Sequence, residues 1–178
     1  MTADNLINKT IQDEYLQDFK LTDKIAEGGQ GAVFRTDNKD YVIKIALDQN
    51  RKVISKKDNT ETYEKYINEY KRVYLNPFPK KIHLVYPVSI LNDYAGYVMK
   101  MVTGMIPFKS LIDMKTYDNT GGIRRRFDLL SKTASILSDL HGNGLVYCDI
   151  SDGNIFITEN VNGKNQNVWF IDADNVFI

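Results

Sequence analysis

One cysteine, two histidines and four prolines among 178 residues leave several kinds of chemistry without material. The lone thiol, Cys148, forms no internal disulfide, so the chain is not a stapled secreted scaffold, and one cysteine with two histidines makes no zinc-ligand spacing. An excess of either charge is also missing. Twenty-three Lys+Arg stand against twenty-three Asp+Glu, a formal net charge of zero, which supplies no basic field to draw the chain onto nucleic acid or anionic lipid. No stretch reaches the roughly 18 apolar residues of a membrane helix; the best run, residues 82–91, contains His83. Near the start, Asp4 and Asn5 stand where a secretory signal needs an apolar core. The expectation is therefore a cytoplasmic protein with no nucleic-acid partner and no membrane span.

What is present is the composition of an ordinary globule, 43% hydrophobic and 26% charged, in one domain or two small lobes able to remove about 70% of the unfolded surface from water. Residues 1–18 carry Leu6, Ile7, Ile11 and Leu16 at a weak helical spacing and read as a leader without chemistry. Residues 19–25 alternate apolar and polar, a glycine cluster follows at Gly28, Gly29 and Gly31, and 32–34 resumes an extended pattern. A β-branched run at 41–47 makes a third strand. Tyr63, Tyr66, Ile67, Tyr70, Val73 and Tyr74 recur at three and four within 52–75, an amphipathic helix ended by Asn76-Pro77. Two further strands are expected at 82–91 and 96–102. After Gly104 a helix carries Phe127, Leu130, Ala134, Leu137 and His141 along one stripe and ends at Gly142-Asn143-Gly144. The boundaries that follow are a leader to 18, a β-rich lobe over 19–103 and a helical lobe over 104–178, with no internal repeat.

Four features carry chemistry. Glycines at 28, 29 and 31 between two strands let backbone N–H groups approach a bulky anion, because no Cβ intervenes. Lys44, flanked by Ile43 and Ile45, must snorkel or meet an anion. Asp149-Ile-Ser-Asp-Gly-Asn154 presents a carboxylate and an amide five residues apart, and Asp172 ends a short apolar strand. Asn154 and Asp172 are oxygen donors of the type that Mg2+ takes beside phosphate oxygens.

In this order the four features resemble the eukaryotic-type protein kinase family, in particular its bacterial Ser/Thr-like members, from about residue 21 to the end. Residues 25–33 look like the glycine-rich loop, Val42-Ile43-Lys44 like the lysine strand, 97–104 like the hinge, 140–154 like the catalytic loop with its helix, and 170–174 like the metal-binding segment. The fold implied is α+β, a protein-kinase-like bilobal fold with a complete β-rich N-lobe and the first part of the helical C-lobe. The activity implied is transfer of the γ-phosphate of Mg·ATP to a Ser/Thr hydroxyl of a protein substrate. On this resemblance Lys44 holds the α- and β-phosphates and Glu69 holds Lys44. Ala26 takes the place of the first glycine, Gly28 and Gly31 cover the phosphates, and Val33 and Val42 roof the adenine. Lys100 and Val102, following Met99, meet its edge. Asp149 accepts the hydroxyl proton, while Asn154 and Asp172 hold Mg2+.

Several positions depart from the pattern. Tyr147-Cys148-Asp149 replaces His-Arg-Asp, which removes the partner of a phosphorylated activation loop; Ser151 replaces a lysine; Asp174 replaces the DFG glycine. Four residues follow Asp174, so a fragment, a short regulatory protein and a split kinase completed by a partner chain all stay open, and apolar surface along the 127–140 helix is expected to lie uncovered. Two other functions also stay open, a non-catalytic nucleotide-binding pseudokinase or regulatory module and a small-molecule phosphotransferase. Of the remaining candidates, Cys148 reads as a small buried hydrophobe, His83 as structural, Arg124-Arg125-Arg126 as a solvated helix face, and the tyrosines of 63–74 as packing residues.

Overall fold

A computed structural model describes the chain except for residues 77, 80, 81, 113–115, 164 and 178. Pro77, expected to end the first helix, lies outside the described residues. The chain divides into two compact units, Met1–Asn76 with Tyr86–Met101, and Pro77–Val85 with Val102–Ile178.

The first unit is an antiparallel sheet with one helix. A 3-10 turn at Ala3–Leu6 precedes β1 (Thr10–Gln12), β2 (Asp18–Glu27), β3 (Gly31–Thr36) and β4 (Tyr41–Ala46), then α1 (Thr60–Tyr74), β5 (Pro87–Ile90) and β6 (Gly96–Lys100). The sheet order is β1-β2-β3-β4-β6-β5. Helix α1 starts where the Asn59 side chain accepts the Thr62 N–H at 2.9 Å, an N-cap that satisfies one of the orphan donors of the first turn. It buries Tyr63, Ile67, Tyr70 and Val73, so the periodicity is read correctly while the helix begins later than 52. The preceding residues make isolated bridges, Val53 to Leu47 and Ser55 to Tyr94, followed by a turn at 56–58.

The leader differs most from expectation. Instead of a helix it contributes β1, registered Ile11 to Phe19 on β2, and it buries Ala3, Leu6 and Ile11 against Phe19, Leu21, Phe34, Ile43, Ile45 and Val98. A handful of residues is too short to repay helix nucleation, whereas pairing with an open sheet edge satisfies their backbone groups at once. The segment seals one face of the sheet.

The second unit holds β7 (Met105–Pro107), a 3-10 turn at Phe108–Leu111, α2 (Gly122–Gly142), β8 (Val146–Tyr147), β9 (Ile155–Thr158), β10 (Val168–Phe170), a 3-10 turn at Ala173–Asn175 and β11 (Val176–Phe177). β10, β9 and β7 form one sheet, and β11 pairs with β8. The apolar run at 82–91 is shared rather than a single strand. Leu84 bridges Phe170 and the Val85 N–H reaches Phe170 O at 2.8 Å in the second unit, while 87–90 is β5 of the first. His83 is structural as expected, donating from Nδ1 to Val168 O at 3.0 Å and stacking on Trp169.

Two readings of α2 are corrected. The buried face is Arg125, Leu129, Thr133 and Leu140; Phe127 and Leu130, on the stripe read from sequence, are 64% and 50% exposed, so the uncovered apolar surface expected along this helix is present. Arg125 and Arg126 are not a solvated face. Arg125 is buried and donates to Gln166 Oε1 at 3.0 Å, Thr120 O at 3.1 Å and Thr158 O. Arg126 donates to Gly122 O at 2.9 Å and Leu111 O at 2.6 Å and lies over the Tyr117 ring. Irregular backbone leaves carbonyls that two guanidinium forks satisfy. Burial, then the neighbouring Arg126 charge, lowers the Arg125 pKa from its ordinary value.

Leu6→Ala removes a fully buried side chain from the sealed face and is expected to cost about 2–5 kcal/mol in urea unfolding; a cost within about 0.5 kcal/mol, as for an ordinary surface change, is the contrary result.

Candidate functional site

In the first unit, strand register gathers five predicted residues on one face of the sheet. Ala26 lies opposite Val33, Val33 opposite Lys44, and Val42 opposite Met99. Directly paired residues, and alternate residues along a strand, share a face. Ala26, Val33, Val42, Lys44 and Met99 therefore stand on the face opposite the one sealed by Leu6 and Ile11. Lys44 is 7% exposed, paired across β6 with Tyr97, which meets Tyr70 of α1 edge-on at 5.0 Å. Lys100 pairs with Tyr41 and is exposed on the other face. Glu69 lies on the exposed side of α1, whose packed face is Tyr63, Ile67, Tyr70 and Val73.

The glycines divide into two kinds. A Cβ at Gly31 would lie 2.8 Å from Ile45 O and 3.6 Å from Lys44 Cε, so strand packing alone demands glycine there, and the same contact places the Lys44 stem beside the turn. A Cβ at Gly28 or Gly29 would meet nothing within 4 Å. The turn is closed by Gly28 N–H to Gly31 O at 2.9 Å. Packing does not require these two glycines; close approach of another molecule would.

In the second unit, a set of hydrogen bonds stitches the catalytic-loop candidate to the segment around Asp172. Asn154 Nδ2 donates to Asp149 Oδ2 at 2.8 Å and to Asp149 O at 3.2 Å. Its backbone N–H meets Ser151 Oγ at 3.2 Å, and its carbonyl accepts the Ile171 N–H at 3.0 Å. Asp149, Asn154 and Asp172 are half-buried, as is Val102, the last of the hinge candidates. Asp172 has φ 67° and ψ 55°, a left-handed conformation that costs a non-glycine residue about 1–3 kcal/mol and persists where its surroundings impose it.

Two contributors escape a reading by residue type. Tyr147 donates from Oη to Ile171 O at 2.6 Å, meets Phe170 edge-on and pairs with Val176. Burial first, then the Asp172, Asp149 and Asp174 carboxylates, push its phenol well above its ordinary pKa, so it stays a neutral donor. Asn175 donates from Nδ2 to Asp149 Oδ2 at 3.4 Å, and its carbonyl accepts the Cys148 N–H at 3.0 Å. Tyr147 had one available signal, its place within residues 140–154, while Asn175 lies one residue beyond 170–174 and had none. Cys148 itself is exposed, which corrects the buried reading; in the two-residue strand β8 its neighbour Tyr147 takes the inward position.

The fold of the chain is shared with solved structures. The chain matches the kinase domain of Mycobacterium tuberculosis PknI, a double mutant, with a TM-score of 0.60 at 10% identity over 95% of this chain and 63% of that one. It matches the BubR1 kinase domain with a TM-score of 0.60 at 16% identity, covering 96% and 50%. The fold is a protein-kinase fold. In sequence, this kinase-like chain is 29% identical over 160 residues to a serine/threonine-protein kinase, drp72, of Corynebacterium efficiens, and it spans 30% of that relative's length. No family model matches. The resemblance to the Ser/Thr-type protein kinases is matched by the sequence relative, and the kinase-like α+β fold it implied by the solved structures. Among the described residues of the kinase-like chain no helix is long and apolar enough to cross a membrane.

Gly31→Ala should destabilise the chain by more than about 1 kcal/mol, as overpacking does, while Gly28→Ala stays within about 0.5 kcal/mol; equal losses in thermal unfolding would contradict the division drawn between the two glycines.

Proposed function

We propose that the chain is a phosphotransferase that binds Mg·ATP and passes its γ-phosphate to a Ser/Thr hydroxyl of a protein. The observation that carries this reading is the sheet face itself, where Lys44 lies buried in register with Val33 and close to Gly31. Val33, Val42 and Met99 offer an apolar surface for the adenine, with the backbone of Lys100 and Val102 for its edge. The Lys44 ammonium takes the α- and β-phosphates. Gly28 and Gly29 admit those phosphates to the backbone, Gly31 keeps the strand pair close, and Ala26 preserves the small side chain at the entry.

The donor set of the second unit fits a magnesium ion. Asn154 gives its Nδ2 protons to Asp149, which leaves Oδ1 for a hard cation, and Asp172 supplies a carboxylate. Mg2+ is characteristically held by one or two protein oxygens together with phosphates and waters. When bound, the ion neutralises charge on the phosphate oxygens. Asp149, oriented by Asn154 and Asn175, accepts the proton of the attacking hydroxyl at a carboxylate oxygen. Most of the acceleration then comes from alignment and charge compensation rather than covalent chemistry.

Incubation with γ-labelled ATP, Mg2+ and Ser/Thr-containing protein acceptors tests it. Label is expected on Ser/Thr, falling about 10²–10⁴-fold in Asp149→Asn, the range typical of a positioned proton acceptor, while nucleotide binding is retained. Wild-type transfer no greater than that of Asp149→Asn would overturn the assignment.

A further inference from the structure

The glycine turn is gripped from outside the proposed nucleotide face. Glu27 ends β2, one residue before Gly28, and holds Lys24 Nζ on Oε2 at 2.5 Å and Arg51 Nη2 on Oε1 at 3.1 Å. Lys24 is bridged at 2.6 Å to Asp4 Oδ1, in the N-terminal 3-10 turn. That turn is itself anchored, since Ala3 and Leu6 are buried in the core. Arg51 belongs to a tight turn after β4, with φ 59°, where the Asp48 carboxylate accepts the N–H groups of Asn50 and Lys52, each at 2.8 Å. The Val53 N–H donates to Met1 O at 2.9 Å and Thr2 bridges Lys52. Two stretches distant in sequence thus reach the residue that enters the turn, Arg51 directly and Asp4 through Lys24.

Such a grip has a physical purpose here. Two glycines with no side-chain contacts have little conformational preference of their own, so the direction of their N–H groups is set by what flanks them. At the far end, Gln30 O accepts the Leu47 N–H at 3.3 Å. At the near end Glu27 pairs with Ala32 of β3, and its carboxylate is held by Lys24 and Arg51. Its inner pair, Lys24 and Glu27, has side chains 23% and 21% exposed, while the outer Asp4 and Arg51 are 68% and 64% exposed. An isolated exposed pair contributes little, but a chain of charges with a shielded centre on an anchored turn fixes a geometry.

We infer that Glu27 is a positioning residue and that the chain Asp4–Lys24–Glu27–Arg51 makes the N-terminal segment a brace that presets the glycine turn for the nucleotide phosphates. The inference rests on the reading of that turn as a phosphate site. It gives the first residues, which carry no chemistry of their own, a role in substrate affinity.

Amide hydrogen exchange of the full chain without nucleotide tests the brace directly. Peptides covering residues 26–31 should exchange several-fold faster in Glu27→Gln, to a lesser degree in Asp4→Asn, and near the wild-type rate in Glu27→Asp, with the thermal midpoint of all three close to wild type. Steady-state kinetics should then show KM for ATP raised about three- to tenfold in Glu27→Gln at a kcat within twofold, recovered in Glu27→Asp. Unchanged exchange in Glu27→Gln would overturn the brace. So would faster exchange with an unchanged KM, or a loss confined to kcat. A wild-type chain that binds no ATP would instead overturn the phosphate reading, and the exchange result would still decide whether Glu27 orders the turn.

Discussion

A lysine ammonium buried in the middle of an antiparallel sheet is the constraint on which the rest of the first unit depends. Burying a charge is costly unless it is compensated, so the sheet around Lys44 has to be rigid and its register fixed. Val33 on one side and Tyr97 on the other supply that register. A slip of one residue would send Lys44 into the apolar face with Ile43 and Ile45. The alternation at 41–46 therefore does two jobs, filling a core with odd-numbered residues and presenting Val42 and Lys44 on the other face.

The opposite face makes that presentation stable. Phe34, Ile43, Ile45 and Val98 would be open to water without the N-terminal segment, whose Ala3, Leu6 and Ile11 close over them. Each buried aliphatic side chain of this size contributes about 1.5–3 kcal/mol. The sheet is thus covered by the leader on one side and meets α1 on the other at Tyr97, which leaves the end bearing Ala26 and the glycine turn exposed. In the second unit the equivalent constraint is polar. Asn154, Tyr147 and Asn175 divide among them the carboxylate of Asp149 and the backbone flanking Asp172, so a strained residue and a proton acceptor are held by neighbours rather than by their own preferences.

The candidate site residues were easier to single out in the sequence than the packing. Glycine turn, strand lysine, Asp149 with Asn154, and Asp172 are local signals, and spacing along the chain carries them. Residues 82–91 misled because one apolar run serves two units, which periodicity does not reveal. The stripe on α2 misled because it marks apolar residues, while the buried face includes Arg125 and Thr133, polar groups satisfied by carbonyls that no sequence pattern announces. Glu69, placed by counting turns from the helix end, lies on the exposed side of α1, whose packed face is fixed by its tyrosines. The leader was illegible because its few apolar residues gain meaning only from the sheet edge they meet.

The central proposal is that Lys44 takes nucleotide phosphates and that Asn154 and Asp172 take Mg2+. Calorimetric titration of a non-hydrolysable ATP analogue, with and without Mg2+, into wild type, Lys44→Met and Asp172→Asn measures this most directly. The account predicts saturable binding that Mg2+ strengthens in wild type, weakened at least about tenfold by Lys44→Met and stripped of its metal dependence by Asp172→Asn, a tenfold change corresponding to about 1.4 kcal/mol. Absence of binding in the wild type, or equal binding by all three proteins, would contradict it.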